Sequence, residues 1–529
     1  MNGPGIDMGV EDLRSLYSQT FSVNHTYLNE GHGTNCYEVA IYADELLSEW
    51  FYMKRQSADL YGFIAATCAE QLNINRLAAE WNILTMTGYG TDQIIRNKAI
   101  APTWITTSPS SRLMYRTLFA NIFTRFNWSS IYVVIDTGNY SSYPYYATLF
   151  DEQLMGELRN MQLTLRRIDT RRSVDYLGIL HEFQKTSRIL VFMGQGQFFR
   201  KLLLIAESLL MTNGEYVYIG FKMFKFDGFG LMDWRYGDAD DGRAREAFRS
   251  ALLVSVAPSA QVVPERLAAT WRERTQRRFN VTVDNANTSV PWPTVTSTYA
   301  AFLMFGQVLN ETLANDPAFD FQDGARFARL FWNRTFHFPF SEVRLDEKGE
   351  RIPPMIIEDL DPETGQLQVV LYQDNMLYNL NNVSGAHIDW GGPAGSGNAV
   401  PRNEPRCGYQ GYRCTVSVSS VLPAVLAVAF TSITFVGVLI YVKRYLYVVL
   451  DARWWLLSEQ RLQIPVPLQS PPQALSEPDI TDSLNAWHWQ PHNQVTHEAD
   501  NSVPVAEQSN SGPPPHPVLS EKIQINITD

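Results

Sequence analysis

No basic start followed by an apolar run opens this chain. Residues 1 to 30 read MNGPGIDMGVEDLRSLYSQTFSVNHTYLNE, so no secretory leader is visible and a start further upstream is expected. Cysteine is scarce: Cys36, Cys68, Cys407 and Cys414 are the 4 in 529 residues. A basic surplus is missing too. A net charge of -12 and a pI of about 5.3 exclude a nucleic-acid partner, because binding a phosphate backbone needs a basic surface. The 9 histidines show no His-Glu-X-X-His or other paired-ligand spacing, so no metal is expected and metal-assisted hydrolysis has no support. The longest absence is of charge itself, since no charged residue stands between Arg413 and Lys443.

What fills that interval is VLPAVLAVAFTSITFVGVLIYV, residues 421–442. Twenty-odd apolar residues at about 1.5 Å each cross a hydrocarbon core of roughly 30 Å, so the stretch predicts one transmembrane helix. Lys443 and Arg444 follow it directly. Cytoplasmic flanks carry such an excess, which puts the N-terminal side outside the cell, at the plasma membrane, and the tail inside. Eight Asn-X-Ser/Thr acceptors precede the span, at Asn24, Asn127, Asn139, Asn280, Asn287, Asn310, Asn333 and Asn382, and suit a glycosylated outer segment. All four cysteines lie on the same side, which suits two disulfides in an oxidising compartment. Proximity pairs Cys36 with Cys68 and Cys407 with Cys414, although four cysteines allow three connectivities.

From Cys36 onward helical and strand patterns alternate. CYEVAIYADELLSEWFYMK spaces its apolar residues by three and four, as an amphipathic helix does, and IYVVID is an apolar run of the fully buried strand kind. RILVFMG, EYVYIGF and ALLVSVAP repeat the strand pattern between helical stretches, which implies parallel sheets with helices on both faces. VRLDEKGERIPPMIIEDL and LQVVLYQDN predict a hairpin that turns at Glu347, Lys348 and Gly349. Two α/β lobes would form a cleft outside the carboxyl ends of their strands.

Several local motifs invite functional readings. GDADDGR brings Asp238, Asp240 and Asp241 together, but Arg249 stands where a calcium loop needs its last acid, so a solvated loop is favoured. GQGQFF lacks the Gly-Lys-Ser ending of a phosphate loop and reads as a tight turn. PPPHP, in the tail, has the composition of a polyproline II ligand, yet such strings are common in disordered tails. TTSPSSR joins a strand to a helix N-terminus at the inter-lobe face. There Thr106, Thr107 and Ser108 could hold an anionic ligand group, or Ser108 could simply cap a helix that starts at Pro109.

With these residues in view, the sequence resembles the extracellular ligand-binding region of receptor guanylate cyclases, the group that includes natriuretic peptide receptors. The similar stretches are TNCYEVAIYADELL with the later Cys68, LAAEWNI, STYAAFLMFGQVLNETL with FHFPFSEVRLDEKGERIPPMIIEDLD, and WGGPAGSGNAVPRNEPRCGYQGYRC. The resemblance implies a bilobed type I periplasmic-binding-protein fold of the α/β class, working as a homo- or heterodimer. It also implies that the chain starts after the family's first strand and helix, so one lobe would lack a central strand. The Gly-Pro-X-Cys turn is replaced, since Gly62 is followed by Phe63. Beyond the span no GxGxxG, Asp-Phe-Gly or metal-binding aspartate pair occurs, which argues against catalysis by this chain.

The expected plan is a ligand-binding region over 1–400, a stalk with a cysteine pair over 401–420, the span over 421–442, a juxtamembrane segment over 443–464, and a disordered Pro-rich tail over 465–529. The expected function is a single-pass receptor for an extracellular peptide or small sensory molecule, with membrane lipid around its span and no cofactor. The alternative is a fragment of a receptor guanylate cyclase that converts GTP to cyclic GMP.

Overall fold

The computed structural model describes residues 3–28, 36–55, 57–65, 71–89, 93–138, 161–224, 227–260, 263–280, 282, 292–392, 398–410, 413–414, 418–454 and 520–527. Cys68, Asn139, Asn287 and the PPPHP motif lie outside these residues. Two compact units are present: residues 1–413 with 514–529, and residues 414–513.

The first unit holds two lobes. The first begins with α1 (Gly3–Leu16), β1 (Phe21–Tyr27), α2 (Cys36–Glu49), β2 (Leu60–Ala65), α3 (Gln71–Glu80), β3 (Leu84–Thr87) and β4 (Trp104–Thr106). Helix α4 (Arg112–Phe126) carries the chain into the second lobe, which runs β5 (Ser130–Asp136), β6 (Gln162–Ile168), α5 (Tyr176–Thr186), β7 (Ile189–Met193), α6 (Gly196–Ser208), β8 (Val217–Phe221), α7 (Asp241–Phe248) and β9 (Ala251–Val256). The chain then returns to the first lobe as α8 (Glu265–Phe279), α9 (Trp292–Asn315), α10 (Gly324–Arg329) and the hairpin β10 (Thr335–Phe338) and β11 (Ser341–Arg344). A last crossing leads to β12 (Met355–Leu360), β13 (Leu367–Gln373) and β14 (Leu380–Asn382).

The second lobe is one sheet in the order β14-β13-β12-β9-β8-β7-β5-β6, parallel from β9 to β6 and antiparallel from β9 to β14. Its central strands are apolar along their whole length because helices cover both faces. In β5, Ile131, Val133 and Ile135 join the core built on α4, while Tyr132 and Val134 join Phe183 and Phe199 on the opposite face. The predicted hairpin pairing of β12 with β13 is present, but its connection runs through Asp361 to Gln366. The turn at Glu347 to Gly349 closes a smaller loop, in which Leu345 bridges Arg351.

In the first lobe α1 lies against α9 at close range. A Cβ on Gly9 would meet the Phe302 ring at 2.7 Å, so the helices approach through a position that only glycine can fill. Strand order in this lobe is β1-β15-β2-β3-β4, where β15 (Ser520–Ile527) comes from the C-terminal end of the chain. It runs antiparallel to both neighbours, with Val23 opposite Ile525 on one side and Leu60 opposite Ile525 on the other. The sequence reading expects a tail without a fold of its own over 465–529; Ser520–Ile527 departs from it, because β1 and β2 supply backbone partners on both sides that a lone segment lacks.

In the second unit α11 spans Val418–Trp454, and among the described residues it is the one helix long and apolar enough to cross a membrane, over Leu422–Val449. The helix continues through Lys443 and Arg444, where the sequence reading ends it, since Tyr445 to Leu450 are again apolar.

Candidate functional site

Three chain segments cross between the lobes, and backbone hydrogen bonds tie them together. Thr106 N–H donates to the Gly349 carbonyl at 2.9 Å and Arg351 N–H donates to the Thr106 carbonyl at 3.0 Å, binding the first crossing to the third. Ala257 N–H donates to Pro354 O at 2.9 Å and binds the second to the third. Residues Gly349 to Arg351 therefore form a single parallel bridge to Thr106 at the end of β4. Gly349 adopts φ +75°, and a Cβ there would meet Ile105 at 2.7 Å, so the turn fits only with glycine at its corner.

Buried charge concentrates at this junction. Arg96 reaches Asp346 and lies 2.9 Å from Glu350 Oε2. Glu350 is 1% exposed, and its other oxygen accepts from Ser111 Oγ at 2.8 Å. Burial, reinforced by Asp346, pushes the Glu350 carboxyl above its ordinary pKa, against the pull of Arg96. Lys98 donates to the Trp104 carbonyl at 2.5 Å, and burial lowers its ammonium to about 7 despite the neighbouring carboxylates. Arg351 is the least compensated group. Its guanidinium donates only to neutral oxygens, the Thr107 carbonyl at 3.2 Å, Ser297 Oγ at 3.0 Å and Ser341 Oγ at 3.4 Å, and burial lowers its pKa to about 10.

The segment singled out from the sequence sits in the middle of this junction. Thr106, Thr107 and Ser108 are fully buried. Their hydroxyls are engaged locally: Thr106 Oγ1 donates to the Thr87 carbonyl at 2.9 Å, Thr107 Oγ1 donates to the Ser297 carbonyl at 2.8 Å, and Ser108 Oγ accepts from Ser110 N–H at 3.3 Å. The cap of α4 is Ser111, which accepts from Met114 N–H at 3.2 Å, so the helix starts at Arg112 and not at Pro109. Ser108 forms the preceding turn instead. As folded here, the three residues present no surface to a ligand; they connect β3, β4, α9 and the returning hairpin.

The other motifs resolve into structural roles. Asp238 and Asp241 clamp Arg200, with Oδ1 to Nη2 distances of 2.6 and 2.9 Å, which accounts for the acidic GDADDGR loop without a cation. Among the described residues no cluster of His, Cys, Asp or Glu could hold a metal ion. Cys407 and Cys414 are both disulfide-bonded. Five of the six described glycosylation acceptors, Asn24, Asn127, Asn280, Asn333 and Asn382, are exposed, while Asn310 is half-buried.

One group that the sequence reading missed lies in the second lobe. Asp359 on β12 is fully buried; its Oδ2 accepts from Asp389 N–H at 2.6 Å, while Oδ1 has no partner. Burial raises its pKa to about 8, so the carboxyl holds a proton at neutral pH. Through Asp389, which also receives Arg249 Nε at 2.8 Å, it secures the segment that follows β14. A cavity of about 460 Å³ lies beside that segment, lined by Phe126, Leu371, His387, Ile388 and Trp390.

Comparison with known proteins bears on the same two lobes. The family described as receptor family ligand binding region matches residues 39–363. Atrial natriuretic peptide receptor 3 of Mus musculus and that of Homo sapiens are each 21% identical over 299 residues, which cover 56% of this chain and 54% of the relative. The chain thus spans little more than half the length of these relatives. With the match running from α2 through β12 across all three crossings, the chain belongs to the family of receptor ligand-binding regions and is related to the natriuretic peptide receptors.

Proposed function

We propose that the chain is a single-pass cell-surface receptor whose two lobes lie outside the cell and bind a peptide. The observation that carries this reading is the pairing of a receptor ligand-binding region with a helix of transmembrane length in one chain. The relatives are named for a natriuretic peptide, which makes a peptide the favoured ligand class. In this reading Thr106, Thr107 and Ser108 respond to ligand through the crossing segments, and the Cys407 and Cys414 region is the stalk that passes the change to the membrane.

A dimer completes the proposal. Tyr52 and Met53 are 74% and 81% exposed, next to Phe51 stacked on Trp81 at 4.1 Å. Such an apolar patch suits a subunit contact. Output through cyclic GMP would need a cyclase, and no such domain is folded among the described residues. The test is binding of a labelled natriuretic-type peptide to intact cells displaying the chain, with a glycosidase digest alongside. Saturable binding and a fall in apparent mass are expected. No binding across natriuretic-type peptides would overturn the ligand class, and an unchanged mass would overturn the orientation.

A further inference from the structure

The cavity in the second lobe has a glycosylation acceptor in its wall. Asn382, Val383 and Ser384, the whole acceptor triplet, line it together. At about 460 Å³ it falls in the range of small-ligand pockets, about 300–1,000 Å³. Phe126, Ile388 and Trp390 supply apolar wall, Ser384, His387 and Asn398 supply polar groups, and no Asp, Glu, Lys or Arg lines it. Such a lining suits a neutral occupant with an apolar face and a few hydroxyls.

The strand and its neighbour helix fix how the acceptor is presented. β14 ends at Asn382 and the chain turns at once, with Val383 N–H donating to the Val370 carbonyl at 3.0 Å and Ala386 N–H to the Val383 carbonyl at 3.2 Å. Arg125 on α4 donates from Nη2 to Asn382 Oδ1 at 2.6 Å. A guanidinium only donates, so the amide oxygen is the atom that meets it, and Nδ2 is the atom left over. Asn382 is exposed, which leaves that nitrogen open to modification. In N-glycosylation it gives up a proton and bonds to the anomeric carbon of the first N-acetylglucosamine, whose lipid-linked diphosphate departs. The bond from Arg125 to Oδ1 survives that reaction.

We propose that the cavity is the seat of the Asn382 glycan, with its first N-acetylglucosamine folded back against the wall that holds Phe126, Ile388 and Trp390. The inference rests on the reading that the two lobes lie outside the cell. The sugar is neutral, with an apolar ring face, an acetyl methyl and hydroxyls, which matches the lining. Tethered through Asn382, it stands at a high effective concentration beside the cavity, so weak contacts suffice to hold it. Asn24 and Asn333 are exposed acceptors that do not line this cavity.

The test digests the full chain, displayed on cells and left folded, with a peptide N-glycosidase. Release is read at each acceptor by mass spectrometry, as conversion of asparagine to aspartate. Asn382 should lose its glycan about tenfold more slowly than Asn24 and Asn333, because a seated sugar must open out before it is cut, and at the same rate once the chain is denatured. Val400, 44% exposed at the rim, offers a way to fill the cavity without touching the acceptor, and Val400→Trp should abolish the difference. Equal rates in the folded parent overturn the seat, as does slow release that persists in Val400→Trp. A bare Asn382 beside glycosylated Asn24 and Asn333 overturns the seat and leaves the orientation standing. No glycan on any acceptor overturns the orientation, and the seat with it.

Discussion

Ser111 Oγ donates to Glu350 across 2.8 Å, although 239 positions separate the two residues. The same hydroxyl oxygen caps α4 by accepting from Met114 N–H. One side chain thus starts the helix that enters the second lobe and satisfies a carboxylate of the returning hairpin. Ser111→Ala removes both roles, and loss of an N-cap costs about 1 kcal/mol, rising to about 2 where a second partner is orphaned. A fall in melting temperature of about 2–4 °C is expected by circular dichroism. An unchanged melting curve would show that the cap carries no weight.

Gly349→Ala tests the fit of the hairpin. The substitution asks alanine to hold φ +75° and places its methyl within 2.7 Å of Ile105. Strain of this kind costs about 1–3 kcal/mol. Because the turn is bonded to β4, amide exchange at Thr106 and Arg351 should speed up in the variant; equal exchange rates would sink the assignment.

Asp359 makes stability depend on pH. Its carboxyl titrates near about 8 when folded and at 3.8 otherwise, so between those values the unfolded chain is ionised and the folded one is not. Stability is highest below the lower value and declines as pH rises through the window, by up to about 1.4 kcal/mol per unit. Asp359→Asn removes that decline. Chemical denaturation at pH 5 and pH 8 should show the variant gaining on the parent at the higher pH, and parallel profiles would contradict the buried proton.

The exposed apolar patch gives a test of assembly. Tyr52→Glu with Met53→Lys should convert a dimer to a monomer in sedimentation experiments while leaving the melting temperature within about 1 °C, as expected for surface changes. An unchanged sedimentation coefficient in a chain shown to be dimeric would move the interface elsewhere.

The alternation of helices and strands was legible wherever burial was complete on both faces, because β5, β7 and β8 then read as unbroken apolar runs. Strand β2, Leu60–Ala65, gave no comparable signal and reads as part of a loop, since Tyr61 and Gly62 interrupt its aliphatic residues. The sequence reading places the cap at Ser108, whereas Ser111 caps α4 and its hydroxyl also reaches Glu350. The junction could be located from TTSPSSR but its chemistry could not: Thr106, Thr107 and Ser108 are buried by a hairpin that arrives more than 200 residues later. Asp359 was invisible for a similar reason. In MIIEDL nothing marks which acid faces inward; β9 and the Asp389 loop decide it.

Three strands of chain crossing at one place also have a mechanical meaning. Two lobes on a single tether can swivel freely, whereas three tethers laced by Thr106, Gly349, Arg351 and Ala257 leave bending about the laced line as the soft motion and oppose twisting of one lobe against the other. A ligand gripping both lobes would then load the junction like a clasp knife, opening or closing one angle.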